Sequence, residues 1–69
     1  MLESFYAKEV RTRDSKMRYF NCEVELNNIP EHIQLIIPDA IKLSGEGFIE
    51  YVSKSSIEAI EVFEDKGEQ

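Results

Sequence analysis

Residues 17–26 read Met-Arg-Tyr-Phe-Asn-Cys-Glu-Val-Glu-Leu, and within them Phe20, Cys22, Val24 and Leu26 alternate with Tyr19, Asn21, Glu23 and Glu25. A two-residue period of apolar and polar side chains belongs to a strand with one face in a core and the other in water. A helix would scatter the same apolar residues around its circumference. The segment is therefore expected to be a strand with Phe20, Cys22, Val24 and Leu26 inward, and the chain around it to be mainly β.

The flanking segments extend that reading. Residues 2–11 are rich in aromatic and β-branched side chains, which suit a strand. Their two faces, Phe5/Ala7/Glu9 and Tyr6/Lys8/Val10, alternate imperfectly and leave room for a bulge. Residues 12–16 hold no apolar residue, and Asp14 and Ser15 favour a hairpin loop. Asn27 to Pro30 is a turn, Glu31-His32-Ile33 a short helical turn, and the apolar run Ile33 to Ile37 a buried strand ended by Pro38. Asp39 to Ser44 fits either one helical turn capped by Asp39 or a short strand, Ile41-Lys42-Leu43. Gly45-Glu46-Gly47 is a turn and Phe48 to Val52 a strand.

The segment 55–63 admits two readings. Ser55-x-x-Glu58 fits a helix capping box, but Ile60, Val62 and Phe63 are middling helix formers, so a short turn over 53–57 and then a strand is preferred. Residues 64–69 read as a frayed acidic tail. The fold class expected is mainly β: one domain over 1–69, a small barrel or sandwich of about five short antiparallel strands with room for one short helical turn. Its core is expected to include Phe20, Cys22, Val24, Leu26, Leu35, Ile37, Ile49, Val52, Ile57, Ile60 and Val62.

A chain of 69 residues buries only about 60% of its unfolded surface and is marginally stable alone. Cys22 is its only cysteine, so no disulfide can staple it, and a reducing, cytoplasmic setting is expected. One His and one Cys leave only carboxylates as further metal ligands, so neither a metal site nor a cofactor is expected. Self-association is the remaining support, and a homo-oligomer is weighed for that reason. No apolar run approaches the roughly 20 residues of a membrane helix, and residues 1–5 do not begin a signal peptide.

Charge is unevenly placed. Residues 1–18 carry a net +2 (five cations, three acids) and residues 19–69 a net −8 (three cations, eleven acids). Lys8, Arg11, Arg13, Lys16 and Arg18 lie on and beside the first hairpin, with Phe5, Tyr6, Tyr19 and Phe20 around them. Cations beside aromatic faces can hold single-stranded nucleic acid by phosphate contact and base stacking. Lys8, Arg11, Arg13, Lys16, Arg18 and Tyr19 are the candidate binding residues. The plainer reading is that these cations keep an exposed hairpin soluble and pair with Glu9 and Asp14. A third reading sets the hairpin of one copy against Glu58, Glu61, Glu64 and Asp65 of another.

Catalytic chemistry finds little footing. Cys22 shares an apolar strand face, where a thiol is inert packing, and His32, ten residues on, is the one base available to it. Glu23 and Glu25 share the solvent face of their strand, and Gly45-Glu46-Gly47 lacks the Lys-Ser/Thr of a phosphate loop.

Two fragments resemble pieces of known families. Tyr51 to Val62 is similar to the last turn and strand of Sm-like small barrels, and Ile41 to Gly45 to an early strand of them, though the interval between is too short for the intervening Sm strands. Ile36 to Lys42 resembles the Ile-Pro-x-x-Ile-basic element of swapped-hairpin transcription factors, whose following loop is longer than this chain permits. Neither resemblance carries a functional residue across. The expectation is a non-enzymatic acidic interaction module, a regulator or inhibitor that binds a larger protein. The alternative is a small nucleic-acid-binding barrel that uses the basic hairpin.

Overall fold

The computed structural model describes residues 4–13 and 17–63. Five strands follow in order: β1 (Ser4–Thr12), β2 (Arg18–Glu25), β3 (Ala40–Gly45), β4 (Phe48–Ser53) and β5 (Ile57–Val62). A helix, α1 (Glu31–Ile36), joins β2 to β3, and a 3-10 turn (Lys54–Ser56) joins β4 to β5. The strands make one antiparallel sheet in the order β4-β3-β2-β1-β5. The mainly β expectation with five antiparallel strands holds. The sheet is open, because β4 and β5 are its edges and no ladder joins them among the described residues. The tail 64–69 and the loop residues 14–16 lie outside the described residues.

The alternation in β2 breaks at one residue. The β1–β2 ladder pairs Phe5 with Val24, Ala7 with Cys22, Glu9 with Phe20 and Val10 with Tyr19, but skips Lys8 and Asn21. Asn21 has a φ of 53°, a left-handed conformation that Asn tolerates better than most residues. Each strand turns over there. The inward residues of β1 become Ala7 and Val10, and those of β2 become Tyr19 and Cys22, three positions apart in both cases. Phe20 is therefore 55% exposed and does not share a face with Cys22.

The core consists of Ala7, Val10, Cys22, Val24, Ile41 and Leu43, with Phe5, Tyr19, Phe48, Val52 and Ile57 packed against it. Cys22, Val24, Val52 and Ile57 are where the alternation places them. Phe20, Leu26, Leu35, Ile49, Ile60 and Val62 are exposed instead, and Ile37 is half-buried. Each departure has a cause. Leu26 lies beyond the end of β2. Register sets Ile49 opposite Ser44 on the outer face, while Phe48 covers Gly45 from the inside. Ile60 and Val62 point inward, opposite Val10 and Ala7, but β5 is an edge with a neighbour on one side only.

Leu35 is exposed because its run is a helix. Pro30 accepts from the amides of Ile33 and Gln34, and Ile33 from that of Ile37. Proline is well suited to a helix start and Glu31 favours the first turn. Residues 39–44 take the strand alternative, and Gly47 (φ 86°) closes the β3–β4 turn in a conformation that glycine adopts freely.

The 3-10 turn shows how far the sheet coils. β1 ends and β3 begins at opposite ends of a flat antiparallel sheet, two strands apart. Here both reach Lys54–Ser56: Arg13 donates its amide to Ser56, and Asp39 accepts from the Lys54 amide, each at 2.9 Å. A flat sheet would also separate its edges by four spacings, roughly 19 Å, and three residues in 3-10 form advance only about 6 Å. Strong right-handed coiling is what lets so short a turn link the two edges.

Candidate functional site

The end of the first hairpin forms an open cleft of about 540 Å³ lined by Arg11, Thr12, Arg13, Met17, Arg18 and Glu58. Three of the five hairpin cations thus converge. Arg11 and Arg18 are directly opposite each other in the β1–β2 ladder, and Arg11 also faces Ala59 on β5. Below them the hairpin neck is tied twice: the Thr12 amide donates to the Met17 carbonyl (3.0 Å), and the Met17 amide to Thr12 Oγ1 (3.1 Å). Thr12 is buried, so the neck is a fixed base for the arginines.

The three guanidinium groups differ in how they are held. Arg13 donates Nη2 to the Ile57 carbonyl at 3.0 Å, which pins it to the start of β5. Arg18 Nε lies 2.9 Å from Glu9 Oε2, an ion pair without hydrogen-bond alignment, and the Glu9 side chain is mostly covered. Arg11 forms no ion pair with a described residue. Glu58 on β5 supplies a carboxylate to the cleft.

The other sequence candidates are placed elsewhere. Lys8 stands at the point where the strands turn over, with Nζ 3.9 Å from Glu61 Oε2 and both side chains well exposed. Such a pair contributes little. Lys16 lies outside the described residues. Tyr19 is not at the cleft: its ring packs against the core, 5.6 Å from that of Phe48. Burial, then the negative Glu50, push its phenol above the ordinary value. Of the flanking aromatics, Phe5 also packs inward, and Phe20, two residues from Arg18, is the one exposed beside the cleft. Thr12, Met17 and Glu58 were not among the candidates, because strand order, which brings β5 to β1, leaves no mark in local spacing.

Several large apolar side chains stand exposed elsewhere on the surface. Tyr6 and Ile49 are more than half exposed in one cross-sheet row, Tyr6–Glu23–Ser44–Ile49. The next row is Ser4–Glu25–Lys42–Tyr51, where Lys42 Nζ is 3.8 Å from Glu25 Oε1. On α1, Leu35 and Ile36 are 79% and 76% exposed. Cys22 is fully buried, which pushes its thiol above the ordinary value and makes thiolate scarce. Among the described residues no three His, Cys, Asp or Glu side chains gather in a way that could hold a metal ion. No helix among the described residues is long and apolar enough to cross a membrane. Comparison with known protein families, with curated proteins and with solved structures returns no match to this chain.

Proposed function

We propose that the chain is a non-enzymatic interaction module, a regulator or inhibitor that docks on a larger protein in the cytoplasm. One observation carries this reading: Tyr6, Ile49, Leu35 and Ile36 stand largely in water while the core is small. Covering a large apolar side chain is worth about 1.5–3 kcal/mol, so a partner that covers these four has much to gain. Large apolar side chains exposed among polar neighbours can anchor a protein interface. Glu23 and Glu25 share the outer face with Tyr6 and Ile49, so the matching partner rim is basic. The coil that brings both sheet edges to one short turn supports reading the architecture as an incompletely closed small barrel.

The alternative, a nucleic-acid-binding barrel, is supported by the convergence of Arg11, Arg13 and Arg18. It is weakened by Tyr19 and Phe5, whose inward rings leave Phe20 as the one stacking surface near the cleft.

The test is a pull-down from lysate with tagged wild type, the double variant Leu35→Ser/Ile36→Ser and the double variant Tyr6→Ser/Ile49→Ser. The proposal expects one protein retained by wild type at fixed stoichiometry and lost from at least one variant that keeps its melting temperature. Equal retention by all three forms, or turnover in a broad hydrolase screen with no retained protein, overturns it.

A further inference from the structure

We infer that the arginine cleft is a receptor for an acidic peptide segment, one that presents two or more side-chain carboxylates beside an apolar residue. The inference deepens the docking reading and rests on it, since it names the part of the partner that the hairpin end takes.

The argument begins with charge. Three guanidinium groups line one cleft, and the carboxylates near them among the described residues are Glu58 at the cleft, Glu9 on the flank of Arg18, and Glu61, which lines a smaller hollow with Arg11 and pairs with Lys8. With Lys8 counted beside its Glu61, the described cations here exceed the described acids by one, on a chain whose net charge is −6. Arg11 and Arg18 are also cross-strand partners, an arrangement that repels, and an anion set between them would remove the repulsion.

Donor geometry comes next. A guanidinium has five N–H donors, and its planar fork suits a carboxylate bidentately. Arg13 uses one terminal nitrogen on the Ile57 carbonyl, and Arg18 directs Nε at Glu9. Most donors of all three groups remain for a ligand. Arg13 and Arg18 are already anchored, so a ligand meets side chains that have lost part of their freedom.

The ligand class follows from what surrounds the cleft. A volume of about 540 Å³ holds a few side chains, and Met17 gives one wall an apolar surface. A long polyanion fits poorly. Beyond the cleft it would run past Glu58 and Glu61 on β5 or past Glu23 and Glu25 on β2, and the inward Tyr19 leaves its bases little to stack on. A short acidic segment meets Glu58 and ends before Glu61, Glu23 and Glu25. Inorganic phosphate alone would engage the guanidinium groups but leave the Met17 wall bare.

The experiment is a fluorescence-anisotropy titration of the full chain against three probes: a labelled Glu-Leu-Glu-Glu-Leu-Glu hexapeptide, inorganic phosphate as competitor, and a labelled oligothymidylate of twelve nucleotides. Saturable binding of the peptide is expected, with affinity about ten- to a hundredfold lower in Arg11→Gln and in Arg13→Gln, the loss of one charge-assisted contact. Glu58→Gln should bind the peptide several-fold more tightly. Circular dichroism melts confirm that each variant is folded. Absence of saturable peptide binding, or affinity unchanged in both arginine variants, overturns the inference. Tighter binding of the oligothymidylate than of the peptide overturns it in favour of nucleic acid. Retention of the lysate partner by the arginine variants at wild-type level, with no peptide bound, removes this inference while leaving the docking reading intact. Loss of partner from the apolar variants is read separately from the titration.

Discussion

Arg11 and Arg18 face each other in the hairpin ladder, and of the two only Arg18 forms an ion pair, with Glu9, among the described residues. Like charges directly opposite on paired strands cost a few tenths to about 1 kcal/mol. A cost of this kind is what the proposed binding role of Arg11 would offset. Arg11→Thr, which keeps a β-branched side chain and removes the repulsion, should raise the melting temperature of the ligand-free chain by about 2–4 °C. A differential scanning measurement that finds a lower melting temperature would show Arg11 to be a structural residue. The arginines themselves were legible in the sequence, because five cations in eleven residues stand out. The fate of Tyr19 was not. A single left-handed residue, Asn21, reverses the faces on either side of it, and a periodic pattern that continues through Asn21 cannot report its φ. That one angle moves Phe20 out to solvent and Tyr19 into the core.

The 3-10 turn is held by a compact polar cluster. Ser53 Oγ donates to the Asp39 carboxylate at 2.8 and 2.9 Å, the Ser55 amide donates to Asp39 Oδ2 at 3.2 Å, and Ser56 Oγ donates to the Ser53 carbonyl at 2.8 Å. The Ser53 hydroxyl, with the Ser55 amide, holds the Asp39 carboxyl below the ordinary carboxylate value. A lowered folded-state value means the carboxylate stabilises the fold fully above its unfolded value of about 4, and that this support fades as pH falls through the folded value. Wild-type melting temperature should therefore decline below about pH 4 more steeply than that of Asp39→Asn, and a parallel decline in the two would contradict the assignment. β2, the Gly45–Gly47 turn, β4 and the preference for a strand after a turn at 53–57 were all readable, since each has its own period or punctuation. The run 33–37 was not. Five consecutive residues dominated by Ile and Leu look alike as a buried strand or a helix, and apolar content alone favoured burial. The helix that forms leaves Leu35 and Ile36 in water, an outcome local pattern does not encode.

At the scale of the molecule, charges far apart in sequence become neighbours. Pairing of β5 with β1 sets Glu61 beside Lys8 and Glu58 into the arginine cleft, so these two acids meet the basic hairpin of their own copy. The sequence showed the two charged ends and could not show that one sheet joins them, because strand order depends on coiling and packing across the whole chain. The cleft depends on that coiling. Arg13 is fixed only because the β4–β5 turn reaches the end of β1, and Glu58 is present only because β5 then runs back along it. The most direct test is a nuclear Overhauser spectrum of the isotope-labelled chain, read for three contacts: the Arg13 amide with Ser56 and Ile57, the Lys54 amide with Asp39, and Val10 with Ile60. The coiled sheet predicts all three in one folded species. A well-dispersed spectrum that keeps the β1–β2 and β3–β4 contacts but lacks the Arg13–Ser56 and Val10–Ile60 ones would contradict it, and would take the cleft with it.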